Sequence, residues 1–90
     1  MQCEREVTIS NRLGLHARPA ARFARMASGF RSRVWLVRDG EAVDGKSILE
    51  VLTLACPKGT RLIIRASGPD AQLAVDTLCQ LVTDSFGELD

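Results

Sequence analysis

The sequence has few of the groups that small proteins use for metal or covalent chemistry. It has one histidine, His16, and three cysteines, Cys3, Cys56 and Cys79. An odd number of cysteines with no CxxC spacing is not a disulfide framework, and a single histidine leaves a zinc site short of ligands. The cysteines read as small apolar fillers in a reducing compartment. Four aromatics, Trp35 and three phenylalanines, offer bases little to stack on, and a net charge of +1 is a weak footprint for nucleic acid. No apolar run approaches the roughly 20 residues of a membrane span; Leu62-Ile63-Ile64, for example, is stopped by Arg61 and Arg65. Met1–Val7 lacks the basic-then-apolar order of a signal peptide. There is no GxxxxGK[ST] phosphate loop. A cytoplasmic protein without membrane insertion, nucleic-acid partner, metal or cofactor is the expectation.

What is present suits one small folded unit. At 90 residues, 46% hydrophobic and 26% charged, the chain reads as a single globular domain, residues 1–90. Charge is unevenly spread. Residues 1–38 carry eight arginines against Glu4 and Glu6, a net of +6; residues 39–90 carry four basic residues against nine acids, a net of −5. The first part therefore suits phosphate or an acidic protein face.

Periodicity divides the chain into elements. Glu4–Ser10 alternates, with Val7 and Ile9 to one side, so it reads as a strand. Asn11–Leu15 reads as a loop. From Ala17 to Ser28 the period becomes helical: Ala20, Phe23, Ala24 and Ala27 share one face, while Arg18, Arg22 and Arg25 share another. Pro19 fits the first turn and Gly29 the end. Arg33–Val37 and Glu41–Val43 read as strands joined by Asp39-Gly40. Ser47 and Glu50 match a capping box ahead of a short helix to about Leu54. Arg61–Ala66 reads as a strand, and a last helix follows Ser67–Asp70, with Ala74, Val75, Leu78, Leu81 and Val82 on its apolar face. The order β-α-β-β-α-β-α predicts an α+β two-layer sandwich, with helices on one face of an antiparallel sheet.

His16 lies in Gly14-Leu15-His16-Ala17-Arg18-Pro19-Ala20. It falls at or near an N-cap, where unpaired N–H groups and the helix dipole favour an anion and disfavour an imidazolium. His16 is therefore expected to be neutral and nucleophilic near pH 7. Arg18 can bring a guanidinium fork to phosphate oxygens. This set suits transient phosphoryl acceptance, with the phosphoryl group supplied by another protein. The plainer reading of an isolated His-x-Arg pair is a histidine that only starts a helix or fills a core.

The surrounding strings weigh against that plainer reading. GLHARPA, then GKSILEVLTLAC, then KGT resemble the HPr family, the histidine-containing phosphocarriers of the bacterial phosphoenolpyruvate-dependent phosphotransferase system. The resemblance covers essentially the whole chain. It implies an open-faced β-sandwich, a four-stranded antiparallel sheet with three helices on one side. It also implies that His16 accepts a phosphoryl group through Nδ1 from phosphorylated enzyme I and passes it to an enzyme II A-type domain, steadied by Arg18. The protein would then be a stoichiometric carrier and not an enzyme, with magnesium needed only by the enzyme I donor. Ser47 matches the family's regulatory serine, the target of HPr kinase/phosphorylase. It is also explained by N-capping alone.

Ile48, Leu49 and Leu52 match the family's apolar docking residues. A short helix cannot bury all its apolar residues on one face, so one or two should be exposed. Arg22 and Arg25 would complement an acidic partner. Trp35 departs from the family, where that position is commonly small or polar. Alternation turns Val34 and Leu36 inward and Trp35 and Val37 outward, and places Ile63 outward on the neighbouring strand. Trp35 and Ile63 are expected to form a cross-strand pair that shields itself, or a partner site. No role is assigned to Phe86–Asp90.

Two other readings remain. One is a regulatory HPr-like protein of the nitrogen-related branch, acting mainly through phosphorylation-dependent partner binding. The other is a small α+β binding module in which His16 only starts a helix. An independent hydrolytic enzyme is weaker still, because no nucleophile–base–orienter spacing accompanies His16.

Overall fold

The computed structural model describes residues 1–88. Four strands, β1 (Gln2–Thr8), β2 (Arg33–Arg38), β3 (Glu41–Asp44) and β4 (Arg61–Ser67), form an antiparallel sheet of order β1-β4-β2-β3. Three helices, α1 (Ala17–Ser28), α2 (Ile48–Thr53) and α3 (Ala71–Thr83), complete the expected order. A single 3-10 turn, Ser85–Gly87, follows α3 and was not anticipated.

The sheet has one greasy face. β4 alternates cleanly, with Leu62, Ile64 and Ala66 buried and Ile63 and Arg65 half-exposed. Val7, Val34, Leu36 and Val43 extend that inner face across the other strands. Phe23, Ala20 and Ala27 of α1, Val51 of α2, and Ala74, Val75, Leu78 and Val82 of α3 pack into the same core. Helical period on one side and strand period on the other therefore meet in a single interior. Cys56 and Cys79 are buried free thiols, and burial pushes both above the usual thiol range.

Three local expectations need correction. Strand β1 lies two residues earlier than Glu4–Ser10, because Gln2 and Cys3 pair with Ser67 and Ala66 at the far end of β4. Ile9 still turns inward, 1% exposed, and still bonds to Thr60 and Gly59, but beyond the regular ladder. The capping box at α2 is half formed. Ser47 Oγ accepts from the Glu50 amide at 3.3 Å, but Glu50 Oε1 takes the Asp44 amide at 3.1 Å. The Ser47 amide is already satisfied by the Asp44 carbonyl, which leaves Glu50 free to reach elsewhere.

The third correction concerns the outer sheet face. Trp35 stands opposite Arg65 and Asp44, and Ile63 stands opposite Val37. Trp35 and Ile63 are thus diagonal neighbours and not a direct pair. The Arg33 guanidinium lies 5.4 Å from the Trp35 ring centroid.

Candidate functional site

The site is built where the β1–α1 loop meets the end of the chain. Gly14 adopts φ +70°, and a Cβ there would come within 2.4 Å of the Cys56 carbonyl oxygen, so only glycine fits. Leu15 donates its amide to that carbonyl at 2.8 Å and buries its side chain. This pins the loop and delivers His16 to the N-cap of α1, with extended backbone (φ −85°, ψ −169°). The His16 carbonyl accepts from Ala20, while its ring makes no capping hydrogen bond. No acidic residue lies in the first turn of α1.

The ring is instead held from the far end of the chain. His16 Nε2 lies 3.1 Å from Glu88 Oε2 and 3.3 Å from Oε1. Asn11 Nδ2 donates to Glu88 Oε1 at 2.8 Å and to the Gly14 carbonyl at 2.6 Å. Burial alone would raise the Glu88 carboxyl. The hydrogen bonds from Asn11 and His16, and the charges of His16 and Arg18, outweigh it and hold the group below the usual carboxylate range. An ionised carboxylate only accepts, so the ring donates through Nε2. In its neutral form the imidazole then carries its lone pair on Nδ1, while in its protonated form its charge helps to hold Glu88 ionised.

Around the ring is an open cavity of about 480 Å³, lined by Arg12, Leu13, His16, Arg18, Arg22, Gly87 and Glu88. Arg18 thus stands beside His16, as the sequence suggested. Arg22 lines the same cavity and also donates to the Phe86 carbonyl. Arg25 lies farther along α1, on an open groove against α3 of about 830 Å³ that Met26, Leu81 and Phe86 also line. A donor-rich, open cavity around an imidazole can receive a phosphate-bearing group from outside.

The remaining residues singled out in the sequence lie on α2. Ser47 is its N-cap and half-buried. Ile48 is 42% exposed and Leu49 78%, whereas Leu52 packs partly against the core. Sequence reasoning missed Asn11 and Glu88. The available signal was Phe86-Gly87 just before an acid, an apolar anchor followed by a residue suited to a left-handed turn. Leu89 and Asp90, the rest of that tail, lie outside the described residues.

Comparison with known proteins gives a consistent answer. The family model for the PTS HPr component phosphorylation site matches residues 3–84. The phosphocarrier protein HPr of Cupriavidus necator is 44% identical over 85 residues, covering 94% of this chain and 96% of its own. The phosphocarrier protein NPr of Shewanella violacea is 39% identical over 85 residues, covering 94% of this chain and 93% of its own. The crystal structure of HPr-C-His from Thermoanaerobacter tengcongensis superposes with a TM-score of 0.93 at 38% identity, covering 98% of this chain and 99% of that one.

Proposed function

The chain belongs to the HPr phosphocarrier family of the phosphotransferase system, and from that premise we propose that His16 accepts a phosphoryl group on Nδ1 from phosphorylated enzyme I and hands it to an enzyme II A-type domain. The observation that carries this reading is the Glu88 contact on Nε2, which leaves Nδ1 as the nucleophilic nitrogen at a helix start. Nδ1 attacks phosphorus in line; the Nδ1–P bond forms as the bond to the donor atom breaks. The Nε2 proton stays in place throughout. The exposed amides at the start of α1 and the Arg18 guanidinium meet the phosphoryl oxygens. The reverse displacement delivers the group onward, so the protein ends each cycle unchanged and acts as a carrier and not a catalyst.

The carrier needs no cofactor of its own, and magnesium serves enzyme I. Ile48 and Leu49, exposed on α2, which packs against the arginine-bearing α1, suit docking of a partner with an acidic rim and an apolar centre. Ser47 lies at the start of that same helix. A phosphate placed there by HPr kinase/phosphorylase would put a dianion against an acidic partner and weaken docking. The similarity to an NPr supports a second reading, in which the same phosphoryl cycle serves regulation in the nitrogen-related branch. A cytoplasmic setting fits either, and no described helix is long and apolar enough to cross a membrane.

The test is incubation with enzyme I, magnesium and phosphoenolpyruvate, read by intact mass beside a His16→Ala control. Gain of one acid-labile phosphoryl group, absent in the control, is the expected result. No gain with an active enzyme I from the same organism overturns the carrier reading.

A further inference from the structure

We propose that Glu88 is a positioning residue for His16, and that Asn11 and the Phe86 anchor exist in this chain to hold Glu88 there. The inference rests on the carrier reading but concerns a different part of the molecule. Asn11, His16 and Glu88 come from separate segments: the loop after β1, the start of α1 and the tail beyond α3, which also carries Phe86.

The tail is built to reach the site. Ser85, Phe86 and Gly87 all take left-handed backbone, with φ of 54°, 57° and 76°. Left-handed conformation at two successive non-glycine residues is unfavourable and persists only where surroundings impose it. Those surroundings are visible. Phe86 is 1% exposed within the core. Its carbonyl accepts from Arg22, and the Ser85 hydroxyl meets that of Ser10 at 2.8 Å. The reversal brings Glu88 back across 72 positions of sequence to the His16 ring.

Asn11 completes the relay. Both neighbours of its amide nitrogen are acceptors, the Gly14 carbonyl and the Glu88 carboxylate, so the orientation of the amide is decided by chemistry. Fully buried, Asn11 is left with Oδ1 unpartnered among the described residues. A buried acceptor without a partner is a cost. It is tolerated here because the amide nitrogen serves the loop and the carboxylate at once. The result is a chain of donors, Asn11 to Glu88 and His16 to Glu88, that fixes the ring plane as well as its proton. On phosphoryl transfer the ring gains positive charge while Nε2 keeps its proton, and the carboxylate is already aligned to stabilise that charge. No atom is transferred to Glu88.

The experiment uses the full chain and four variants, Glu88→Ala, Glu88→Gln, Glu88→Asp and Asn11→Ala. Two readouts are taken: the His16 Nε2 proton by NMR, and single-turnover transfer from phosphorylated enzyme I. Wild type is expected to show a downfield, slowly exchanging Nε2 proton. In Glu88→Ala that signal is lost to exchange and transfer slows about tenfold, the scale of losing a carboxylate behind a working imidazole. Glu88→Gln keeps an acceptor and so keeps the signal, but slows transfer. Glu88→Asp recovers part of both. Asn11→Ala moves both readouts in the same direction as Glu88→Ala, by less. A wild-type ring proton and transfer rate that survive Glu88→Ala overturn the proposal. If wild type takes no phosphoryl group, the carrier reading fails instead, and the NMR readout still decides whether Glu88 positions the ring.

Discussion

Asp70 and Ser32 bind each other reciprocally: Asp70 Oδ1 accepts the Ser32 hydroxyl at 2.6 Å and its amide at 2.9 Å, and the Ser32 hydroxyl oxygen accepts the Asp70 amide at 3.2 Å. Asp70 Oδ2 takes the Arg31 amide at 2.9 Å. Asp70 occupies the N-cap position of α3, yet its side chain caps nothing in that helix. It spends its acceptors on the chain entering β2, 38 positions earlier. Gly68 makes the approach possible, since a Cβ there would fall 2.6 Å from the Ser32 hydroxyl.

This knot has a pH signature. The Ser32 hydroxyl and the Arg31 amide hold the Asp70 carboxyl down to about 2, against an ordinary 3.8. The folded value lies below the unfolded one, so the stabilisation is complete above pH 4 and is lost as pH falls from about 4 towards 2. Asp70→Asn should lower the urea midpoint at pH 7 and flatten the slope of stability with pH across that window. Urea melts of both proteins between pH 2 and pH 7 check this. An unchanged slope would show that other carboxylates carry the acid sensitivity.

Ala55 should be improvable. It sits just past α2 with φ +50°, held there while Arg38 donates to the carbonyls of Leu54 at 2.8 Å and Ala55 at 2.5 Å. The residue is exposed, so removing the methyl group gives up little burial. Glycine relieves a left-handed penalty of about 1–2 kcal/mol and adds about 0.5–1 kcal/mol of unfolded-state entropy. Ala55→Gly should therefore gain roughly 0.5–1 kcal/mol by chemical denaturation. Gly59, at φ +91° in open space, supplies the opposite control: Gly59→Ala should lose stability.

These cases mark how far the sequence could be read. Helix α1 occupies the expected residues because a repeating apolar stripe and its two ends are local signals. The inward and outward sides of β2 and β4 also follow from alternation. The start of β1 does not, because its register depends on where β4 ends and on Met1 bonding Gly68. The capping box correctly marked the start of α2, but only its Ser47 half formed, because Asp44 engaged the Glu50 carboxylate and the Ser47 amide. His16 and Arg18 were legible as a pair two residues apart at a helix start. Glu88 was not, since its approach depends on a left-handed run at Ser85 and Phe86 that ordinary propensity disfavours.

Helix α2 should separate stability from docking. Val51 is fully buried and Leu49 is 78% exposed, two residues apart on one short helix. Val51→Ala should cost about 2 kcal/mol through lost burial and an unfilled space. Leu49→Ser should change stability by less than about 0.5 kcal/mol. On the docking proposal it should nevertheless raise the KM of enzyme I for this protein. Denaturation curves and transfer kinetics on the two variants check both halves. A Leu49 variant with wild-type kinetics would remove that residue from the docking surface.

The outer sheet face should prove to be self-shielding. Val37 points away from the helices, yet is only 6% exposed, with Trp35 one pleat along the same strand and Ile63 directly across from it. Trp35 in turn carries the Arg33 guanidinium over its ring and stands beside Arg65, which pairs with Glu4 at 3.1 Å. An aromatic ring roofed by one arginine and flanked by an ion pair offers little bare apolar area to a second molecule. Trp35→Thr removes the ring's packing and a cation–π contact, which at a surface site is worth about 0.5–1 kcal/mol. The total loss should be on the order of 1–2 kcal/mol, since the ring's burial against the sheet is lost as well. Arg33→Ala should lose the smaller part alone, and the double variant should lose less than the sum of the two. Sedimentation and phosphoryl transfer should not change in any of the three. A wild-type protein that sediments faster than the Trp35 variant at equal concentration would mean that this face associates, and the shielding argument would be wrong.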